Sequence, residues 1–285
     1  MHVSLDSALG RQRRLNSVGE SVLQIAPNAA AAYSLRSLTG GDPRVVRVRR
    51  DTDGGAGDND EQDFTASEVS SGALAAFVGS GNDGFVETWY DQSGNSKDAT
   101  QATANLQPKI VNAGSLLTDG IDFDGTSQAG LITGSFSLTQ AFTTFSVSHT
   151  DDASATLGIW STAASATANL NTASFFRNDD GFAVNAGTTL TTAGTIDYVA
   201  DRTYLQTNVV NGGSSSVFVD GATGATGNAG STNPSGILIL GYFRSTSYFN
   251  LDGAIKELII YDSDQTSNRA ALETNIAAAN GVTLS

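Results

Sequence analysis

The chain has 285 residues, 39% of them hydrophobic, with a mean hydropathy of -0.12 and a formal net charge of -14 at pH 7. With no cysteine and only His2 and His149, disulfide staples and thiol chemistry are excluded, and histidine-based metal sites or Ser-His-Asp triads have almost no raw material. The acidic balance argues against nucleic-acid binding, no apolar run approaches the roughly 18 residues needed to cross a bilayer, and no apolar leader reads as a secretion signal.

Charge is unevenly placed. Residues 1–50 carry eight arginines against three carboxylates, so the rest of the chain is strongly acidic. Residues 1–27 lack sustained periodicity and end at Pro27, which predicts an extended N-terminal docking arm with Arg11, Arg13 and Arg14 as its contacts. Residues 28–285 then form one domain. Asn28 can cap a helix over Ala29–Arg36 that closes at Gly40 or Gly41. The run 44–50 reads as a strand with Val46 and Val48 on one face and arginines on the other. Residues 51–63 form an acidic loop. Asp51, Asp53, Asp58 and Asp60 are a weak Ca²⁺ candidate there, because the EF-hand spacing fails; the alternative is a solvated loop screened by Arg47, Arg49 and Arg50. A short helix is expected around residues 72–78.

The segment Trp89-Tyr90-Asp91-Gln92-Ser93-Gly94-Asn95 ends a strand and turns on a glycine. An aromatic pair, a carboxylate and amides in one place suit sugar contact, since aromatic faces stack on C–H surfaces and polar groups bond hydroxyls. Trp89, Tyr90, Asp91, Gln92 and Asn95 are therefore the candidate ligand-binding residues. Against this, strand tryptophans are usually well buried, so Trp89 reads more readily as a core tryptophan, and Asp91 and Asn95 as residues that tie the turn together.

From residue 84 onward, short strands alternate with Gly, Asn, Asp and Ser clusters. Strands are expected at 84–90, 121–123, 142–148, 157–160, 175–177, 182–185, 204–210, 216–219, 237–240 and 254–261. That spacing predicts a mainly β, antiparallel sandwich with a few short helices. The nearly continuous Ile255, Leu258, Ile259 and Ile260 place the last strand centrally. Segments 161–173 and 221–235 read as long surface loops. A C-terminal helix is capped by Ser267, buries Leu272, Ile276 and Ala279, and stops at Gly281. Asp119, Asp122 and Asp124 read as outward residues of a strand, His149 as an ordinary strand-end residue, and Asp179-Asp180-Gly181 as a hairpin turn. There is no P-loop, dinucleotide fingerprint or nucleophile elbow.

The strings Ala32-Tyr33-Ser34-Leu35-Arg36, Val46-Arg47-Val48-Arg49-Arg50, Glu61-Gln62-Asp63-Phe64 and Trp89–Asn95, followed by Ala99-Thr100-Gln101-Ala102, resemble a recurrent domain of bacteriophage virion proteins. The same order is similar to the catalytic domain of family-54 α-L-arabinofuranosidases, a concanavalin A-like sandwich. The run from Gly236 to Tyr261 with the last helix resembles laminin-G-like sandwiches. The virion resemblance implies a structural protein exposed on the particle (fibre, tail or head decoration), with other virion proteins held through the arm, a homo-oligomer, a host-surface glycan as ligand, and neither nucleic acid nor membrane insertion. The arabinofuranosidase resemblance implies a glycoside hydrolase-like alternative. It places a nucleophile near Asp179-Asp180-Gly181 and an acid near residues 241–245. A retaining glycosidase needs two carboxylates about 5 Å apart, yet none occurs between Asp220 and Asp252, and the family's cysteines are missing. The expectation is therefore no enzyme.

Overall fold

The computed structural model describes residues 19–52, 60–125 and 130–285. Arg11, Arg13 and Arg14 of the expected arm, and Asp53 and Asp58 of the acidic loop, lie outside the described residues. Among those described, the chain is mainly antiparallel β with four α-helices, of which only Arg269–Asn280 exceeds six residues, and two short 3-10 turns.

Strand Asp252–Tyr261 is central, as its apolar run predicts. It pairs antiparallel with Ala31–Ser34, Phe142–Thr150 and Ile121–Asp124. From Phe142–Thr150 the sheet continues through Tyr204–Val210 and Ser215–Val219 to Ala222–Gly227. From Ile121–Asp124 it continues through Lys109–Asn112 to Asp83–Trp89, then through Ala99–Thr100, Leu131–Ser137 and Ser235–Leu240 to Leu157–Ala163. The last rungs are Leu170–Phe176, Phe182–Asn185 and Thr189–Thr191. Strands 189–191 and 222–227, the two ends of this path, lie against each other, so the network nearly closes. All ten expected strands are present.

Covering on both faces explains why the central strands read as apolar throughout. Leu258 and Ile260 enter the main core with Trp89, Trp160 and Phe176, whereas Ile259 and Tyr261 point the other way, towards Leu272 and Ile276 of the C-terminal helix. That helix starts after Asn268 rather than Ser267 and ends at Gly281, whose φ of 70° suits a residue without a side chain. Ala277, not Ala279, completes its buried face.

Four expectations fail, each for a physical reason. Residues 29–36 are not a helix: Ala31–Ser34 form a strand, buried at all four positions. Tyr33 joins the main core while Ala32 joins the cluster under the C-terminal helix, and only a period of two serves both. Sheet pairing overrides the alanine propensity. The described end of the arm is also packed on the body, with helix Val22–Ile25 burying Val22, and Ala26 buried behind it. Segments expected as loops carry strand instead, at 161–163, 170–173 and 222–227. Their small residues fit close approaches: a side chain at Gly224 would meet Thr192 Cγ2 at 2.5 Å, and Thr162 bonds Thr172 across the rung at 2.7 Å. Finally, Arg49 does not face solvent with its neighbours. It is buried, stacks over Phe85 at 5.0 Å and donates to Gln107 Oε1 at 2.8 Å.

Candidate functional site

The turn after strand Asp83–Trp89 is a structural knot, and most of its candidate ligand groups are already engaged. Trp89 is fully buried and packs on Tyr33 at 5.6 Å, so it has no face for a sugar. Gln92 is buried as well; its Oε1 accepts from Leu38 N and its Nε2 donates to the carbonyls of Ser34 and Arg36. Asp91 accepts from Ala32 N, Ser93 N, Ser93 Oγ and Lys97 N at 2.7–3.0 Å. The Tyr90 hydroxyl donates to Asp63 at 2.7 Å while Arg44 covers its ring at 4.8 Å; burial, then that carboxylate, pushes its pKa up to about 12. Asn95 is exposed, but its amide ties the carbonyls of Ala29 and Ala30. Asn95, Ser93 and Lys97 do line a polar groove of about 620 Å³ with Asn28 and Asp262. The sugar reading of Trp89 and Gln92 is corrected on this geometry: these side chains pin the turn to strand Ala31–Ser34.

The described end of the acidic segment, residues 60–63, is tied down by the basic strand. Arg47 bonds Glu61 at 2.8 Å and Asp63 at 3.2 Å, Arg44 bonds Asp63 at 2.9 Å, and Arg50 pairs with Asp60. Of the Ca²⁺ candidates, Asp51 closes strand Arg44–Asp51 and Asp60 faces Arg50. No group of three potential ligands is placed to hold a metal ion among the described residues.

A different constellation forms where strands Ile121–Asp124, Phe142–Thr150 and Asp252–Tyr261 meet. Asp119, Asp122, His149, Asp151 and Asp201 line a pocket of about 240 Å³. Register builds it. Asp122 stands opposite Ala254, which in turn stands opposite His149. His149 Nε2 lies 3.1 Å from Asp151 Oδ1, and Asp151 N donates to Asp252 O. Asp122 is half-buried, and its carboxyl is held above the usual aspartate range, by desolvation first and by the Asp151 charge second, against the pull of Lys109 and His149. Asp252 is raised likewise, by burial and then by Asp151 and Asp152. The acidic rim continues past the pocket: Tyr198, raised mainly by burial, also feels Asp180, Asp152 and Asp179. Asp179 itself is held low by Arg177, which it meets at 2.7 Å.

Sequence reasoning missed this pocket. Each member is explained locally as a polar strand end, and only the pairing of distant strands brings them together. The one available signal was the density of Asp around His149 and at 119–124.

No family model matches the chain, and the search of curated proteins gave no match. Among solved structures, the chain is similar to an arabinofuranosidase complexed with arabinofuranosyl-α-1,2-xylobiose, with a TM-score of 0.62 and 14% identity over 88% of this chain. It is similar to a mutant GH54 α-L-arabinofuranosidase soaked with 4-nitrophenyl α-L-arabinofuranoside, with a TM-score of 0.63 and 14% identity over 91% of this chain. A GH54 α-L-arabinofuranosidase soaked with a cyclic sulfate inhibitor gives 0.62 and 15% over 91%. The chain spans 63–64% of the length of those chains. At this identity the shared property is the fold. The likeness follows the glycosidase side of the sequence resemblance and not its virion side. It overturns the expectation of no enzyme, which rested on the empty stretch 241–245: the fold is one that glycosidases use, and carboxylates gather elsewhere on it. The stretch itself is a buried hairpin strand, Tyr242–Arg244, with Phe243 against Phe175 at 5.0 Å.

Proposed function

We propose that the chain is a carbohydrate-active domain of glycoside-hydrolase type, a concanavalin A-like sandwich that holds one sugar ring in the Asp122 pocket and cleaves its glycosidic bond. The observation that carries this reading is the raised carboxyl of Asp122 beside Asp151 in a pocket. A general acid for glycoside cleavage must keep its proton where its partner carboxylate is ionised, and burial plus a neighbouring charge is how proteins arrange that. Asp122 gives its proton to the leaving oxygen as the bond to the anomeric carbon breaks; a water molecule then forms the new C–O bond at that carbon and returns a proton to Asp122. Asp151, steadied by His149 at 3.1 Å, faces the positive charge that develops at the anomeric carbon. Arabinofuranosides are the first substrates to try, because the solved structures similar in fold act on them or bind them.

The test is release of nitrophenol from 4-nitrophenyl α-L-arabinofuranoside by the full chain and by Asp122→Asn. Turnover lost in the variant supports the reading; turnover unchanged in the variant, or none by the parent chain, refutes it.

A second reading rests on the polar groove of Asn28, Asn95 and Lys97. There the chain is an adhesin that binds a host-surface glycan without cleaving it, and the virion location, arm docking and homo-oligomer implied by the resemblance belong to that proposal. Glycan binding that survives Asp122→Asn and needs Asn95 would favour it.

A further inference from the structure

A second cleft adjoins the acidic pocket. It has a volume of about 650 Å³ and a mainly apolar surface, to which Leu35, Val69, Leu116 and Leu117 contribute, with Ser67 and Asp42 at its polar part. Leu117 and Gly120 line both cavities. Gly120 makes this continuity possible. Its φ is +110°, and a Cβ there would lie 2.5 Å from the carbonyl oxygen of Ile255, so the loop rests directly on the central strand as a low saddle. Lys256 crosses the same boundary: it lines the cleft, and its Nζ approaches Asp119 of the pocket at 3.6 Å. The other cation of the cleft, Arg36, is neutralised by Glu257 beneath it.

From this geometry we infer that the aliphatic cleft is the leaving-group subsite, so that the substrate class is a glycoside with an apolar, aryl or alkyl aglycone. The inference rests on the glycosidase reading for the position of the sugar. Continuity fixes the occupant: a ligand whose sugar fills the small acidic pocket can leave it across the Leu117–Gly120 saddle, and there it meets an apolar wall with both cations paired. A hydrophilic glycan chain would leave many of its hydroxyls facing the apolar part of this surface, whereas an aryl or alkyl group gains from burial there.

The experiment measures binding rather than turnover, so that it can be told apart from a failure of catalysis. Methyl and 4-nitrophenyl thioglycosides of α-L-arabinofuranose, which resist cleavage, are titrated by calorimetry into the full chain and into Ala279→Trp, an exposed helix-end position whose substitution narrows the cleft. The expected result is about tenfold tighter binding of the aryl compound, a preference lost in Ala279→Trp while methyl binding stays the same. Ala66→Trp, at another lining residue of the cleft, gives the same loss. Equal affinities, no binding of either compound, or an aryl preference untouched by both variants overturns the inference. Absence of turnover alone, with the aryl preference intact, overturns only the catalytic reading.

Discussion

The carboxylate of Glu257 is sealed beneath the C-terminal helix, with its side chain 1% exposed, while its partner Arg36 is 28% exposed. The guanidinium holds it in a fork of two 2.8 Å bonds, Ser34 Oγ adds a third at 3.0 Å, and Arg36 also reaches Asn275 of the helix at 3.1 Å. This unequal exposure makes a sharp prediction. Arg36→Met strands a buried charge with only Ser34 and Asn280 as donors, which costs about 3–5 kcal/mol. Glu257→Gln leaves the shape in place and a cation that can turn to water, so it costs about 1–2 kcal/mol. The double variant Arg36→Met, Glu257→Leu removes both charges and costs less than the sum of its single changes, with a coupling of about 1–3 kcal/mol. Guanidinium unfolding, followed by the fluorescence of the buried Trp89 and Trp160, reads these values from the midpoints at constant slope. Equal costs for the two single variants, or additive behaviour in the double, would show that this fork is not what locks residues 34–36 to the central strand.

Asp122→Asn is expected to lower glycoside hydrolysis by about 100-fold or more, and in the parent activity falls as pH rises through the raised Asp122 pKa, since the protonated form is the working one. The same shift has a stability consequence of definite sign. The folded state favours the protonated carboxyl, so its stabilisation is full at acid pH and fades as pH rises through the folded pKa; the stability of Asp122→Asn relative to the parent therefore rises from acid to neutral pH in paired melts. Trp89→Ala is expected to cost about 3–5 kcal/mol as a core cavity, reducing glycan binding only in proportion to the fraction unfolded, whereas an adhesin with Trp89 in its site would lose binding while staying folded. Arg47→Ala removes half-exposed ion pairs and costs at most about 1 kcal/mol, vanishing in high salt; Arg49→Ala, from a buried stack, costs more and keeps that cost in salt.

The architecture was largely legible because its signals are local. Glycine and Asn/Asp clusters punctuate most of the strands that were expected, and the two-sided burial of strand 252–261 is written in consecutive aliphatics. Where reading failed, a distant partner decided the outcome. Ala29–Arg36 has helix-favouring alanines, yet Asp91 and Asn95, some sixty residues on, hold its backbone extended. The same bonds misled the search for a site, because a dense polar turn signals ligand contact and internal bracing equally well. Residues 222–227 and 170–173 looked like loops because small polar side chains carry no period, although they fit a crowded sheet.

The acidic pocket depends on a feature no periodicity could reveal. Strand 142–150 pairs with 252–261 in regular register up to Val147 opposite Glu257, and then skips Lys256, so that Ser148 faces Ile255 and His149 faces Ala254. Without that bulge His149 would stand opposite Ile255, whose partner on the other side is Ile121, not Asp122. Residues opposite one another share a face, and faces alternate along a strand, so a one-residue slip would turn His149 away from Asp122. The skipped Lys256 is itself the residue that reaches Asp119 and borders the apolar cleft. A single irregularity in one rung thus sets the histidine beside the raised carboxyl and a cation at the saddle between the two cavities, while pairing is kept on either side of the bulge.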